Sequence, residues 1–314
     1  MIKRSLYFGN PAYLSLKARQ MVIKKPPADD FPPSDPDNPE YYTDTIKTIP
    51  VEDIGLVILD NQQIIVTSAL LTALLDNNCA IITCDQRHLP TGLLLTLYGN
   101  SIQAERHLQQ IEISLPLKKQ LWQQTIQAKI KNQAALLSTI PGAETGNMRA
   151  WAQSVKSGDS DNLEGRAAAY YWKTLFVDNP KFTRDDDDIV NAMLNYGYAI
   201  IRALVARAIV GVGLIPTIGI HHHNRYDAYC LADDIMEPYR PYVDRLVVEK
   251  VNSGCLPVTM DTATKKDLLE LATKEVVIDG YRRPLMLAIS QTVNSLYKCF
   301  AGEIRKLSFP SLGA

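Results

Sequence analysis

Hydrophobic and polar positions change rhythm once along this chain, close to residue 101. Before it, apolar residues come in short runs. Ser5-Leu6-Tyr7-Phe8, Tyr13-Leu14-Ser15-Leu16 and Gln20-Met21-Val22-Ile23 are brief segments rich in β-formers, and 55–59 and 80–83 are near-continuous apolar runs of buried-strand length. One helix interrupts them: Thr67 or Ser68 caps it, Leu70, Leu71, Leu74 and Leu75 face the core, and Asn77-Asn78 ends it. Six prolines and four aspartates crowd the stretch between Lys24 and Asp44, which reads as a long loop. From about Ile102 onward the periodicity becomes helical, over 115–139, 162–175, 188–210, 227–247 and 283–304. The pattern predicts an α+β protein: a small β-rich domain over 1–101, then a larger all-α domain over 102–314.

Composition changes this picture little. With 314 residues, 46% hydrophobic and 21% charged, the chain has material for a sizeable buried core. No apolar run approaches the roughly 20 residues that span a bilayer. The basic opening Lys3-Arg4 is followed by no apolar leader segment, so the expected location is cytoplasmic, with no membrane partner. Cys79, Cys84, Cys230, Cys255 and Cys299 lack metal-like spacing and read as reduced structural thiols. Net charge is -1, so the overall field does not advertise nucleic acid, and any DNA contact must come from a local patch. The acidic run 185–188 reads as a solvated helix start.

Candidate chemistry concentrates in Gly219-Ile220-His221-His222-His223-Asn224-Arg225-Tyr226 and the following Leu231-Ala232-Asp233-Asp234-Ile235-Met236-Glu237-Pro238-Tyr239-Arg240-Pro241. On a helix, Asp234 and Glu237 are three apart and share a face, so both carboxylates can converge. Three consecutive histidines cannot all face inward, but one can. An imidazole with carboxylates suits manganese, or magnesium where oxygen ligands dominate. The bland reading is a surface histidine run with Asp234 paired to Arg240. Glu164 stands in the first turn of a helix of small and aromatic residues, either as a helix-start carboxylate or partner of Arg166, or brought to a buried site by close packing over 167–169.

Three segments then resemble a known family. Leu163-Glu164-Gly165-Arg166-Ala167-Ala168-Ala169-Tyr170-Tyr171-Trp172 resembles the first signature of the CRISPR-associated integrase family, Cas1. Asn191-Ala192-Met193-Leu194-Asn195-Tyr196-Gly197-Tyr198-Ala199 resembles its second. The stretch from Gly219 to Pro241 resembles its third, with a His-His-His-Asn version similar to members accompanying type II systems. Order and spacing agree across essentially the whole chain.

The resemblance implies metal ligands at Glu164, His222 and Glu237, the histidine chosen as the third residue after Gly219, with His221 and His223 as its neighbours. It implies a supporting acidic role for Asp234 and Mg2+ or Mn2+ as cofactor. The family often has Asp where this chain has Glu237. The implied activity is spacer acquisition: the 3′-hydroxyl of a captured DNA fragment attacks a phosphodiester at the edge of a CRISPR repeat. Implied partners are DNA, a second copy of the chain through the β-rich domains, the small second adaptation subunit Cas2, and a type II effector nuclease with its accessory protein. Arg166, Lys173, Arg202, Arg225, Arg240 and Arg245 are candidate phosphate contacts, each competing with an ordinary surface charge or ion pair. Tyr170, Tyr171, Trp172 and Tyr198 are expected in the core. The competing functions are a metal-dependent nuclease acting on branched or repair-intermediate DNA and a non-catalytic DNA-binding scaffold.

Overall fold

The computed structural model describes residues 3–25, 44–176, 182–184, 188–254 and 256–313. Cys255, residues 185–187 of the acidic run and all but Asp44 of the proline- and aspartate-rich segment lie outside them. The backbone divides into two compact units, Met1–Gly99 and Asn100–Ala314.

The first unit holds β1 (Arg4–Phe8), β2 (Ala12–Lys17), β3 (Gln20–Lys25), β4 (Asp44–Pro50), β5 (Ile54–Leu59), β6 (Ile64–Val66), α1 (Ser68–Asp76), β7 (Ala80–Cys84) and β8 (Pro90–Leu94). One sheet has the order β1-β5-β7-β8, its first three strands parallel; the other runs β4-β3-β2-β6. β5 lies inside its sheet and is buried on both faces, which is why Ile54, Leu56, Val57 and Ile58 read without alternation. β2 and β3 form a hairpin whose two turn residues, Ala18 and Arg19, both have positive φ, the primed geometry that matches strand twist. Leu70 and Leu74 of α1 enter a core with Met21, Ile49, Ile54, Val57 and Ile81, while Leu71 and Leu75 stand at its margin. Periodicity missed β4, β6 and β8, which are short or broken by polar residues.

The second unit comprises α2 (Gln103–Glu112), α3 (Leu115–Leu137), α4 (Gly146–Ser154), α5 (Leu163–Leu175), α6 (Ile189–Gly211), α7 (Cys230–Met236), α8 (Arg240–Asn252), α9 (Thr262–Glu270), β9 (Glu275–Ile278), β10 (Tyr281–Pro284), α10 (Leu285–Phe300) and β11 (Pro310–Ser311). Ser114 caps α3 through the Leu117 N–H, and Asp188 caps α6 through the Asn191 N–H. α6 is the central helix and packs against α7, α8, α9 and α10. A Cβ on its Gly197 would meet a Val243 methyl at 2.4 Å, so glycine sets the closeness of α6 and α8.

Three expectations are corrected. This unit is not all-α: β10, β9 and β11 form a three-stranded sheet, built on strands of at most four residues that leave almost no periodic signal. Its hairpin turns on Asp279-Gly280, both at positive φ, a local cue for this geometry. The helix predicted over 227–247 is broken into α7, a 3-10 turn at Glu237–Tyr239, and α8. Pro238 and Pro241 remove two backbone donors there. Finally, α6 is long and apolar enough, by length and composition, to cross a membrane; about two thirds of it is buried inside the protein, as suits a core helix.

Candidate metal centre

In the second unit, α3, α5, α7, α8, the turn after α7 and the loop before it bring charged side chains to one place. Glu164 is fixed by the start of α5. Asp159 accepts the Leu163 and Glu164 N–H groups at 2.9 Å, and the left-handed Asn162 accepts that of Gly165. Its partner is Lys129 on α3, whose ammonium lies 2.6 Å from Glu164 Oε1. Arg166 turns away, its guanidinium over the Trp151 ring.

The same ammonium lies 2.6 Å from Glu237 Oε2, while Arg240 Nε donates to Glu237 Oε1 at 2.7 Å. Burial works against the charge of Glu237, but Arg240 and Lys129 together hold its carboxyl down to about 2. Burial likewise opposes the charge on Lys129, yet Glu237 and Glu164 outweigh it and hold the ammonium above the usual lysine range. Glu237 Oε2 therefore has the Lys129 ammonium as its ion-pair partner and no further well-aligned hydrogen bond.

The three histidines have three different environments. His222 Nδ1 bonds to Asp234 Oδ1 at 2.7 Å, which leaves Nε2 free to bind a metal. Its bond to Asp234, against partial burial and aided by the charges of Asp234, Glu237 and Glu164, raises its pKa. His221 stacks on Trp122 with ring centres 4.1 Å apart, and burial lowers its pKa. His223 is exposed.

Asp234 is fully buried and organises the whole loop. Its carboxylate accepts the Ile220, His221 and His222 N–H groups at 2.7–3.1 Å besides the imidazole. Gly219 is required by this packing: a Cβ there would lie 2.3 Å from the His222 carbonyl and 2.7 Å from Asp234 Oδ2. Asp234 and Glu237 thus bond to different partners, while the charges of both reach His222. The chain tightens after α7, so Asp234 faces the histidine loop and Glu237 faces Lys129 and Arg240. The expected alternative of an Asp234–Arg240 pair is not formed.

Among the described residues, no three His, Cys, Asp or Glu side chains stand ready as they are to hold one ion. The donor set nonetheless fits a divalent cation: an imidazole with a free Nε2 and two carboxylates gathered on one positive charge.

Most of the candidate phosphate contacts have local partners. Arg202 pairs with Asp233, Arg240 with Glu237 and Arg245 with Glu249, and Arg225 lies over Tyr226. Arg166 and Lys173 are exposed on α5. Periodicity alone did not single out Lys118 and Lys119, which line a cavity of about 690 Å³ with Trp122, His221, His222 and His223. It also missed Lys129, although a signal existed: Trp122, Ile126, Lys129, Gln133 and Leu136 form one buried stripe of α3, and a lysine on such a stripe requires a partner. Of the aromatics, Tyr171 and Tyr198 are buried, and Tyr170 and Trp172 are half-buried.

The fold is shared with other solved structures. A casposase bound to integration product superposes with a TM-score of 0.76 at 19% identity, covering 98% of this chain and 92% of that one. A Cas1 protein from Thermotoga maritima does so with a TM-score of 0.69 at 16% identity, covering 96% and 97%. In sequence, the profile of the family CRISPR associated protein Cas1 matches residues 6–282. The CRISPR-associated endonuclease Cas1 of Neisseria meningitidis serogroup C (strain 8013) is 36% identical over 94% of this chain and 91% of its own length. The chain belongs to the Cas1 family.

Proposed function

We propose that this chain is a metal-dependent DNA integrase of CRISPR adaptation, which inserts captured DNA fragments as spacers by 3′-hydroxyl attack on a repeat phosphodiester. One observation carries the reading: Glu164 and Glu237 converge on a single cation beside His222, which a buried aspartate orients, in a chain of the Cas1 family. Glu164, Glu237 and His222 Nε2 would hold Mg2+ or Mn2+, and the bound ion would act as a Lewis acid on the phosphodiester being exchanged. Asp234 fixes the imidazole tautomer and the loop. Arg240 neutralises and orients Glu237 through Oε1, leaving Oε2 towards the centre. Lys118 and Lys119, which line the cavity beside the histidines, would hold a DNA phosphate. Nothing in the chemistry requires a nucleophilic serine or cysteine.

The casposase neighbour, bound to integration product, supports strand transfer as the reaction. A further neighbour is a Cas6-RT-Cas1–Cas2 complex, which supports Cas2 as a partner. The reading places the chain in the cytoplasm, acting on DNA as a homodimer with Cas2. The histidine-rich third motif extends this to a type II effector nuclease and its accessory protein.

Strand transfer tests it: purified chain, Cas2, a DNA fragment and a repeat-bearing plasmid, with and without divalent metal. Joining is expected only with Mg2+ or Mn2+, and Glu164→Ala, His222→Ala and Glu237→Ala each lower it by roughly a hundredfold or more. Normal joining by any of the three removes that residue from the centre. Cleavage without joining would favour a nuclease, and metal-independent binding alone would favour a scaffold.

A further inference from the structure

The residue with the most unusual position is Lys129. Among the described residues it is one of two buried lysines, with Lys265, and its ammonium lies 2.6 Å from oxygens of two carboxylates on different elements, Glu164 at the start of α5 and Glu237 in the turn after α7. Those are oxygens that a divalent cation would have to use. The two glutamates come together as like charges, and burial alone would force them apart or neutralise one. A single positive charge between them removes that conflict. Lys129 is rigidly based, because its neighbours Thr125, Ile126, Ile130, Asn132 and Gln133 on α3 are all buried. Asn132 further ties the helix to the Pro238 carbonyl at 2.7 Å, directly after Glu237.

We infer that Lys129 is a built-in counter-cation of the metal centre, which holds Glu164 and Glu237 together and must be displaced from them when a divalent ion enters. The inference rests on the proposed metal site and assigns the lysine the role of setting its affinity. An ion that competes with a tethered charge binds only in the fraction of time for which the carboxylates are free, and its apparent affinity falls by that fraction. The ammonium has the stem to follow: four methylenes let it withdraw towards the α3 side without movement of the helix. Arg240 is not displaced in this scheme, since it occupies the other oxygen of Glu237.

The test is Mn2+ binding to the full-length chain, measured by electron paramagnetic resonance of the free ion, with thermal melting at each Mn2+ concentration as the second readout. Lys129→Met, of similar shape and without charge, is expected to bind Mn2+ at least about tenfold more tightly than the natural chain. It should also melt lower without Mn2+ and gain more from its addition. Lys129→Arg keeps the charge in a planar fork that grips carboxylates more firmly, and is expected to bind Mn2+ more weakly than the natural chain. Arg87→Ala, which removes only an exposed arginine beside Asp85 in the first unit, should leave Mn2+ affinity unchanged.

Equal or weaker Mn2+ binding by Lys129→Met would overturn the inference and make the lysine a permanent part of the loaded centre. If that variant folds only with Mn2+, the arginine variant decides: affinity equal to or above that of the natural chain overturns the inference. Failure of every form, the natural chain included, to bind Mn2+ would instead overturn the metal reading itself.

Discussion

Two buried carboxylates in the helical unit, Glu237 and Asp244, stand seven residues apart and have opposite electrostatic fates. Glu237 sits between Lys129 and Arg240, and its carboxyl is held down to about 2. Asp244 accepts hydrogen bonds from two phenols, Tyr171 at 2.7 Å and Tyr198. There burial dominates, and despite both hydroxyls and the more distant Arg240 and Arg184 the carboxyl is pushed up to about 6. Burial and the facing carboxylate keep both phenols well above the usual tyrosine range. Depth alone therefore does not decide whether a carboxylate keeps its charge. What separates the two is whether cations or neutral donors surround the oxygens.

Breaking the ionic side should have the larger effect. Glu237→Ala leaves Lys129 with Glu164 alone and strips Arg240 of its ion-pair carboxylate, and a buried charge without its partner costs about 3–5 kcal/mol. Chemical denaturation should register this loss alongside the loss of joining. Unchanged stability would mean that the two cations find water, and that the centre is more open than its burial indicates.

The neutral side gives a pH signature of opposite sign. Asp244 has its pKa raised from an ordinary 3.8 to about 6, so its contribution to stability is fully present below about 3.8 and is lost as pH rises through 6. Asp244→Asn removes that loss. Relative to the natural chain it should gain on the order of 3 kcal/mol between pH 4 and pH 7, read from denaturation curves across that range. Parallel pH profiles for the two proteins would show that Asp244 is not the group responsible. Glu237, with its depressed pKa, contributes in the other direction, its stabilisation lost only as pH falls from about 4.5 through 2.

The smallest effect sharpens the same comparison. Tyr171→Phe removes one of two donors to Asp244 and should cost about 1–3 kcal/mol near pH 7. The cost should shrink in acid, where a protonated Asp244 needs the donor less. A cost independent of pH would mark Tyr171 as a packing residue only.

Legibility in the sequence followed the same divide between local and long-range causes. The strands β5 and β7 and the helix α6 are written in adjacent residues, and the periodic pattern shows them. The histidine triplet was visible, but no local rule separates His221 from His223. Their difference comes from Asp234, twelve residues beyond His222, and from Trp122, a hundred residues before it. Lys129 was harder still, because its meaning depends on Glu164 and Glu237 on other elements. The three-stranded sheet escaped because its strands are shorter than a period can register, although Asp279-Gly280 is a turn cue. The resemblance to a family supplied what spacing could not, the joining of Glu164 to the later motif.

α3 carries one more consequence. Trp122 supports the histidine loop, Lys129 meets both glutamates, and Asn132 bonds the carbonyls of Pro238 and Pro310, all along one helix. One residue inserted or deleted between 122 and 132 would rotate everything beyond it by about 100°. That would misalign several supports of the centre in a single step. Length changes in this helix are therefore far more damaging than substitutions on it, and variation in chain length among working relatives should fall in the loops around α3, not within it.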